Sequence, residues 1–142
     1  YRVFGKLHVR NIVSWTALIS GYSQLGHSGA VFSLFQKMIE EGMMPNYVTF
    51  IVMLNSCSCA GLDNEGETYF HYLTRTYGII PKSEHYTCMI SLFGRMGHFD
   101  KAMEAINKLP SSEHLPAWYA LLTACQNWGN LKLGKFAFKQ MH

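Results

Sequence analysis

Three kinds of residue in this chain could do chemistry: seven histidines, four cysteines and one glycine–lysine motif. Histidines stand at positions 8, 27, 71, 85, 98, 114 and 142, and none shares a metal-ligand spacing with another. A zinc deaminase needs an H-x-E element and a C-x-x-C pair, so that a metal-activated water meets a general acid/base. The chain has neither. Cys57 and Cys125 occupy the repeat slot that Tyr22 and Phe93 also fill, so they read as small core residues, with a reducing compartment as the default. Gly129-Asn130-Leu131-Lys132-Leu133-Gly134-Lys135 spells G-x-x-x-x-G-K, but a phosphate loop needs serine or threonine next and a strand before it. Phe136 follows instead, and a helical pattern precedes. These residues provide no catalytic centre, no metal site and no cofactor, and the chain reads as a non-enzyme.

Composition sets wide bounds. With 142 residues and 49% hydrophobic content there is enough material for one domain. No apolar run approaches the roughly 20 residues of a membrane helix. A net charge of +3 permits a nucleic-acid partner without arguing for one, because a chain that relied on phosphate neutralisation alone would be more basic.

The elements that must position any site repeat along the chain. Four apolar runs line up, ALISGY, VMLNSC, CMISLF and ALLTAC, each preceded at the same offset by an aromatic: Trp15, Phe50, Tyr86 and Trp118. Eleven residues after each aromatic stands a glycine: Gly26, Gly61, Gly97 and Gly129, spaced by 35, 36 and 32. Glycine takes the left-handed conformation that closes a helix at little steric cost. Each glycine therefore ends a first helix of about a dozen residues. Ser28, Asp63 and Asn130 suit the start of a second helix, while the third copy has Asp100 one place late. His27 and His98 share a slot beside the glycine, which fits turn geometry. The second helices, VFSLFQKMIEE, EGETYFHYLTRTY, DKAMEAINKL and LKLGKFAFKQM, carry apolar stripes at three- and four-residue spacing. Pro45, Pro81 and Pro110 stop three of them.

One pair of short helices buries too little to offset its ordering entropy, whereas stacked pairs share a core. The expected fold is all-α: an α-solenoid of stacked helix-turn-helix repeats. The expected boundaries are 1–11 for the end of a preceding repeat (with Val3, Phe4 and Leu7 capping the stack), then 12–46, 47–82, 83–114 and a partial repeat at 115–142. On this reading the chain is a piece of a longer array.

NIVSWTALISGYSQLGHSG, LFQKMIEEGMMPN, EHYTCMISLFGRMGHFDKAMEAI and AWYALLTACQNWGNLKLGK resemble a plant pentatricopeptide repeat protein. The alternating lengths are similar to the P, L and S repeats of its PLS subclass, and 115–142 resembles the E motif that follows them. That resemblance implies sequence-specific binding of single-stranded RNA in a mitochondrion or chloroplast. With an E motif it implies C-to-U RNA editing, the region 115–142 meeting a deaminase-bearing or accessory partner protein. A membrane and a small-molecule substrate are not implied. RNA splicing or stabilisation, and a protein-interaction scaffold of the tetratricopeptide kind, stand as alternatives.

The resemblance also implies site residues. In the family one repeat reads one base: the fifth and last residues meet its edge, and the second residue packs on its face. In the first repeat these are Thr16 and Asn46, with Val13 on one face and Val48 on the other, a combination that favours adenine. The second repeat offers Ile51 and Lys82, which cannot read an edge and would space the array. The third offers Thr87 and His114, with Glu84 at the packing position. Asn11 would read with the preceding repeat. In the fourth, Tyr119 could stack on a base, and Lys132, Lys135 and Lys139 read as a solvated face.

Overall fold

The computed structural model describes residues 11–141. The expectation for Val3, Phe4 and Leu7 lies outside them. The described residues form eight α-helices and no strand. These are α1 (Ile12–Gln24), α2 (Ser28–Glu40), α3 (Tyr47–Ala60), α4 (Asp63–His71), α5 (Ser83–Arg95), α6 (Phe99–Asn107), α7 (His114–Trp128) and α8 (Leu131–Met141). Odd and even helices pair as antiparallel hairpins, and the odd helices pack in a row, α1 on α3, α3 on α5 and α5 on α7. The chain is thus an α-solenoid.

The four repeat glycines do what their spacing predicts. Gly26, Gly61, Gly97 and Gly129 all have positive φ, between +69° and +78°. The amide after each glycine reaches back to the carbonyl of Tyr22, Cys57, Phe93 or Cys125, at 2.8 to 3.1 Å. Every first helix therefore ends in the same six-to-one hydrogen bond. The starts of the second helices differ from expectation. Only Asn130 caps with its side chain, accepting from the Leu133 amide at 3.1 Å. Ser28 and Asp63 are first helical residues, and His27 and Leu62 precede them without a side-chain cap. The second helix of the second repeat does not stay α-helical: after His71 it widens into a π-turn over Tyr72–Thr76.

The core is continuous along the stack. Trp15, Ile19, Leu34, Phe35, Met38, Phe50 and Met53 form one cluster, and Leu54, Cys57, Ile90, Leu92, Ile106, Trp118 and Leu121 another. Phe32, Tyr69 and Phe70 pack against both. α3 serves both clusters, with Phe50 and Met53 on one side and Leu54 and Cys57 on the other, which is why it is apolar nearly all round. Burying a side chain such as Leu34, Met38 or Phe50 contributes about 1.5–3 kcal/mol. Backbones approach closely where α5 meets α7: a β-carbon added at Gly94 would stand 2.8 Å from that of Ala124. Burial pushes the Cys57 thiol up to about 12 and the Cys88 thiol up to about 11, so both are protonated packing groups.

Candidate nucleic-acid interface

The N-terminal ends of the odd helices are where this sequence concentrates unusual polar side chains. Asn46 stands just before α3 in extended conformation. An asparagine there can supply the acceptor that the first helical amides lack. Its Oδ1 accepts from the Val48 amide at 3.0 Å and the Thr49 amide at 3.1 Å. Thr49 returns the favour by accepting the Asn46 amide on Oγ1 at 3.2 Å, closing a capping box. Asn11 plays the same part for α1, accepting from the Ser14 amide at 2.8 Å. In both asparagines the cap engages Oδ1, and the Nδ2 amide group remains as a pair of donors.

Thr16 lies one repeat back, on α1. Its Oγ1 is 3.0 Å from Thr49 Oγ1, and Thr49 Oγ1 is 3.1 Å from Asn46 Oδ1. Thr16 and Asn46 are therefore joined through the fully buried Thr49. Thr16 keeps 8% of its surface exposed. Val13 and Val48, each the second residue of its helix, are 72% and 40% exposed, open apolar surface on the same row of helix ends.

The equivalent positions further along are wired differently. Lys82 precedes α5 and holds its ammonium 4.7 Å from the centre of the Tyr47 ring. Ile51 offers no polar atom. His85 takes the place in α5 that Thr49 has in α3, and its ring bridges two repeats. Nδ1 accepts the Lys82 amide at 2.9 Å, and Nε2 donates to the Tyr47 carbonyl at 2.8 Å. Burial lowers its pKa, the Tyr47 carbonyl and Glu84 oppose that, and Lys82 adds to it. His85 is a neutral structural latch.

Thr87, the counterpart of Thr16, donates to the Ser83 carbonyl of its own helix at 2.9 Å. His114 is not a cap before a helix, as Asn46 and Lys82 are. A 3-10 turn over Ser111–Glu113 draws it in as the first residue of α7, and its Nε2 donates to the Leu109 carbonyl at 2.8 Å. The structure brings Thr16 and Asn46 together and leaves Thr87 and His114 with separate local partners. Glu84 is exposed. Tyr119 is 56% exposed on α7, and Lys132, Lys135 and Lys139 are exposed on α8. Gly129 closes α7 and Asn130 caps α8, so the G-x-x-x-x-G-K run is a helix-to-helix turn. Sequence reasoning passed over Thr49 and His85. A polar residue just before the aromatic of the repeat is the signal they leave.

The family models matching this chain describe the PPR repeat family over residues 10–59 and the PPR repeat over 84–114, together more than half of it. The chain belongs to the pentatricopeptide repeat family, as its plant relatives do. A pentatricopeptide repeat-containing protein of Arabidopsis thaliana is 44% identical over 137 residues, 96% of this chain and 27% of that protein. Two more from the same plant, one named chloroplastic and one mitochondrial, are 39% and 38% identical over 140 residues, 99% of this chain and 20% and 22% of theirs. The crystal structure of the pentatricopeptide repeat protein PPR10 from maize shares the fold, with a TM-score of 0.68 at 18% identity over 99% of this chain and 26% of that one. The chain thus spans about a fifth to a quarter of the length of these relatives.

Proposed function

We propose that this chain is the base-reading part of a PLS-type pentatricopeptide repeat protein with an E motif. It binds single-stranded RNA in a mitochondrion or chloroplast, as a specificity element for C-to-U editing. The observation that carries this reading is the linked set Thr16–Thr49–Asn46 at the open ends of α1 and α3. Unpaired bases offer both faces and edges to a protein. Val13 and Val48 provide apolar surface for the faces of one base. The Asn46 amide and the Thr16 hydroxyl provide donors for its edge. Asn11 would serve the preceding base, Lys82 a phosphate, and Thr87 and His114 at most a weakly read position. Chloroplastic and mitochondrial relatives support the organellar setting.

One complete reader at ~1–3 kcal/mol per stacked base falls short of the roughly 8 kcal/mol of micromolar binding. The isolated chain should therefore bind RNA weakly, and nanomolar affinity in an anisotropy titration would contradict this reading. The decisive experiment is an NMR titration of the chain with short RNAs that differ only in one adenine or guanine. Asn46→Asp keeps the cap, since aspartate caps as well as asparagine, but turns a donor pair into an acceptor. Preference should move from adenine to guanine by about tenfold, or 1.4 kcal/mol. An unchanged preference in a folded variant would place the RNA elsewhere. The editing role is tested separately, by sequencing organellar transcripts from plants that lack the full-length protein for lost C-to-U sites.

A protein partner at 115–142 is the accompanying proposal. Leu115, Tyr119, Trp128, Leu131, Phe136 and Phe138 are all exposed there. Were the Asn46 experiment to fail, this surface would favour the scaffold reading.

A further inference from the structure

We propose that Tyr47, Lys82 and His85 form a backbone clamp at the second repeat: the Lys82 ammonium takes a phosphate of the RNA, the Tyr47 ring holds it in place, and the repeat accepts every base alike. The inference rests on the reading above, which runs the strand along the starts of the odd helices. The residues that precede these helices are Asn11, Asn46, Lys82 and Glu113. Of these four, Lys82 alone is a cation. Among the described residues the ion pairs, His98–Asp63 and Lys101–Glu67, lie at the second helices and leave Lys82 without a carboxylate partner. Ile51, at the place that Thr16 fills in the first repeat, has no polar side-chain atom for a base edge.

Two contacts fix where that charge sits. At the backbone, the buried His85 ring is a crosspiece: Nδ1 accepts the Lys82 amide at 2.9 Å, and Nε2 donates to the Tyr47 carbonyl at 2.8 Å. One ring thus sets the spacing between the first and last residues of the repeat. At the surface their side chains meet again, with the Lys82 ammonium 4.7 Å from the centre of the Tyr47 ring. A ring face attracts an ammonium through its quadrupole and occupies one side of it. The other side keeps N–H donors for a phosphate oxygen. Tyr47 and Lys82 are both exposed, so a strand can reach them. An unrestrained lysine loses rotamer freedom when it grips a phosphate, and Tyr47 makes part of that loss before RNA arrives. Phosphate contacts position a strand without reading its sequence. A repeat with a clamp and no edge reader therefore holds its nucleotide whatever the base. Tyr47 is a positioning residue, acting on the RNA through Lys82.

The test uses the 142-residue chain and a short single-stranded RNA, read by NMR titration over a range of salt. Lys82→Gln should weaken binding about fivefold at low salt, the strength of one exposed ion pair. It should also flatten the slope of log affinity against log salt by about 0.7, the value for one phosphate of a single strand. Tyr47→Phe keeps the ring and should bind as wild type does. Tyr47→Leu should weaken binding about threefold, by the same factor whichever base faces the repeat. Adding Tyr47→Leu to Lys82→Gln should cost nothing more. A further loss in the double variant would mean that Tyr47 grips the RNA itself, and would overturn the inference, as would an unchanged salt slope in Lys82→Gln. On the RNA side, a neutral methylphosphonate placed at each linkage in turn should reproduce the Lys82→Gln loss at one of them, and have no effect there on the Lys82→Gln chain. A measurement without RNA guards against a misfolded variant. The Tyr47 ring should shift the Lys82 ε-methylene protons upfield in wild type and release them in Tyr47→Leu, and unshifted protons in wild type would defeat the clamp. If Asn46→Asp moves the base preference while Lys82→Gln changes nothing, the reading stands and this inference alone is lost. A wild type that binds no RNA would remove both.

Discussion

Thr49 and His85 occupy the same position, third in the first helix of consecutive repeats, and both begin the same way. Each accepts the amide of the residue that precedes its helix, Asn46 at 3.2 Å and Lys82 at 2.9 Å. Beyond that they diverge. Thr49 reaches a side chain of the previous repeat, Thr16. His85 reaches the previous repeat's backbone, the Tyr47 carbonyl, and ends there. A Ser23–Ser56 contact at 2.5 Å extends the hydroxyl pairing along the first junction. The second junction instead adds Arg95 donating to the Cys59 carbonyl at 3.0 Å. One junction is joined through side-chain hydroxyls, and the next through side chains that reach the neighbouring backbone. In a solenoid each repeat contacts only its neighbours, so each junction contributes its own interface term to stability.

The largest effect that would break this contrast is on stability. His85→Ala removes a fully buried ring, strands the Lys82 amide and takes one partner from the Tyr47 carbonyl. It should cost about 2–4 kcal/mol in urea unfolding, from cavity and unpaired groups together. Thr49→Val should cost about 1 kcal/mol, the ordinary worth of a hydrogen bond. Equal losses would mean that the two residues do the same job.

The contrast also has a pH signature. His85 is neutral in the native state, with Nδ1 accepting and Nε2 donating, and a proton on Nδ1 would face the Lys82 amide. Its pKa is depressed by burial, with Lys82 adding to the effect and Glu84 and the Tyr47 carbonyl opposing it. As pH falls below about 6.5, the unfolded chain takes up a proton that the native chain refuses. Stability is full above that pH and declines as pH drops towards the lowered native value. Thermal melts of wild type and His85→Gln between pH 7.5 and 5 should show this slope in the first and its loss in the second. A parallel decline in both would assign the slope to other histidines.

How far these roles could be read in advance depends on their range. The repeat glycines and aromatics were legible, because a left-handed helix end and a buried stripe are local demands with a fixed period. The Asn46 cap is a local demand of the same kind. Thr49 was not, since its significance lies in a contact 33 residues away and the residue itself is buried. The π-turn at Tyr72–Thr76 left no signal in composition. His114 matches Asn46 and Lys82 in its place in the repeat, but the 3-10 turn before it starts α7 one residue early, a difference that counting along the repeat does not reveal.

The smallest predicted effect separates the two threonines of matching position. Thr87→Val removes a hydroxyl whose proton is already spent on Ser83, four residues back in the same helix. Such a bond competes with the helix ladder rather than adding to it. Stability should change by less than about 0.5 kcal/mol, the range of a neutral helix substitution. RNA titrations should be indifferent as well. Thr16→Val deletes a hydroxyl that pairs with Thr49 across the junction, and it should lower binding of the adenine RNA several-fold. Matching responses from the two valines would mean that a threonine's position in the repeat, and not its partner across the junction, decides what it offers to a base.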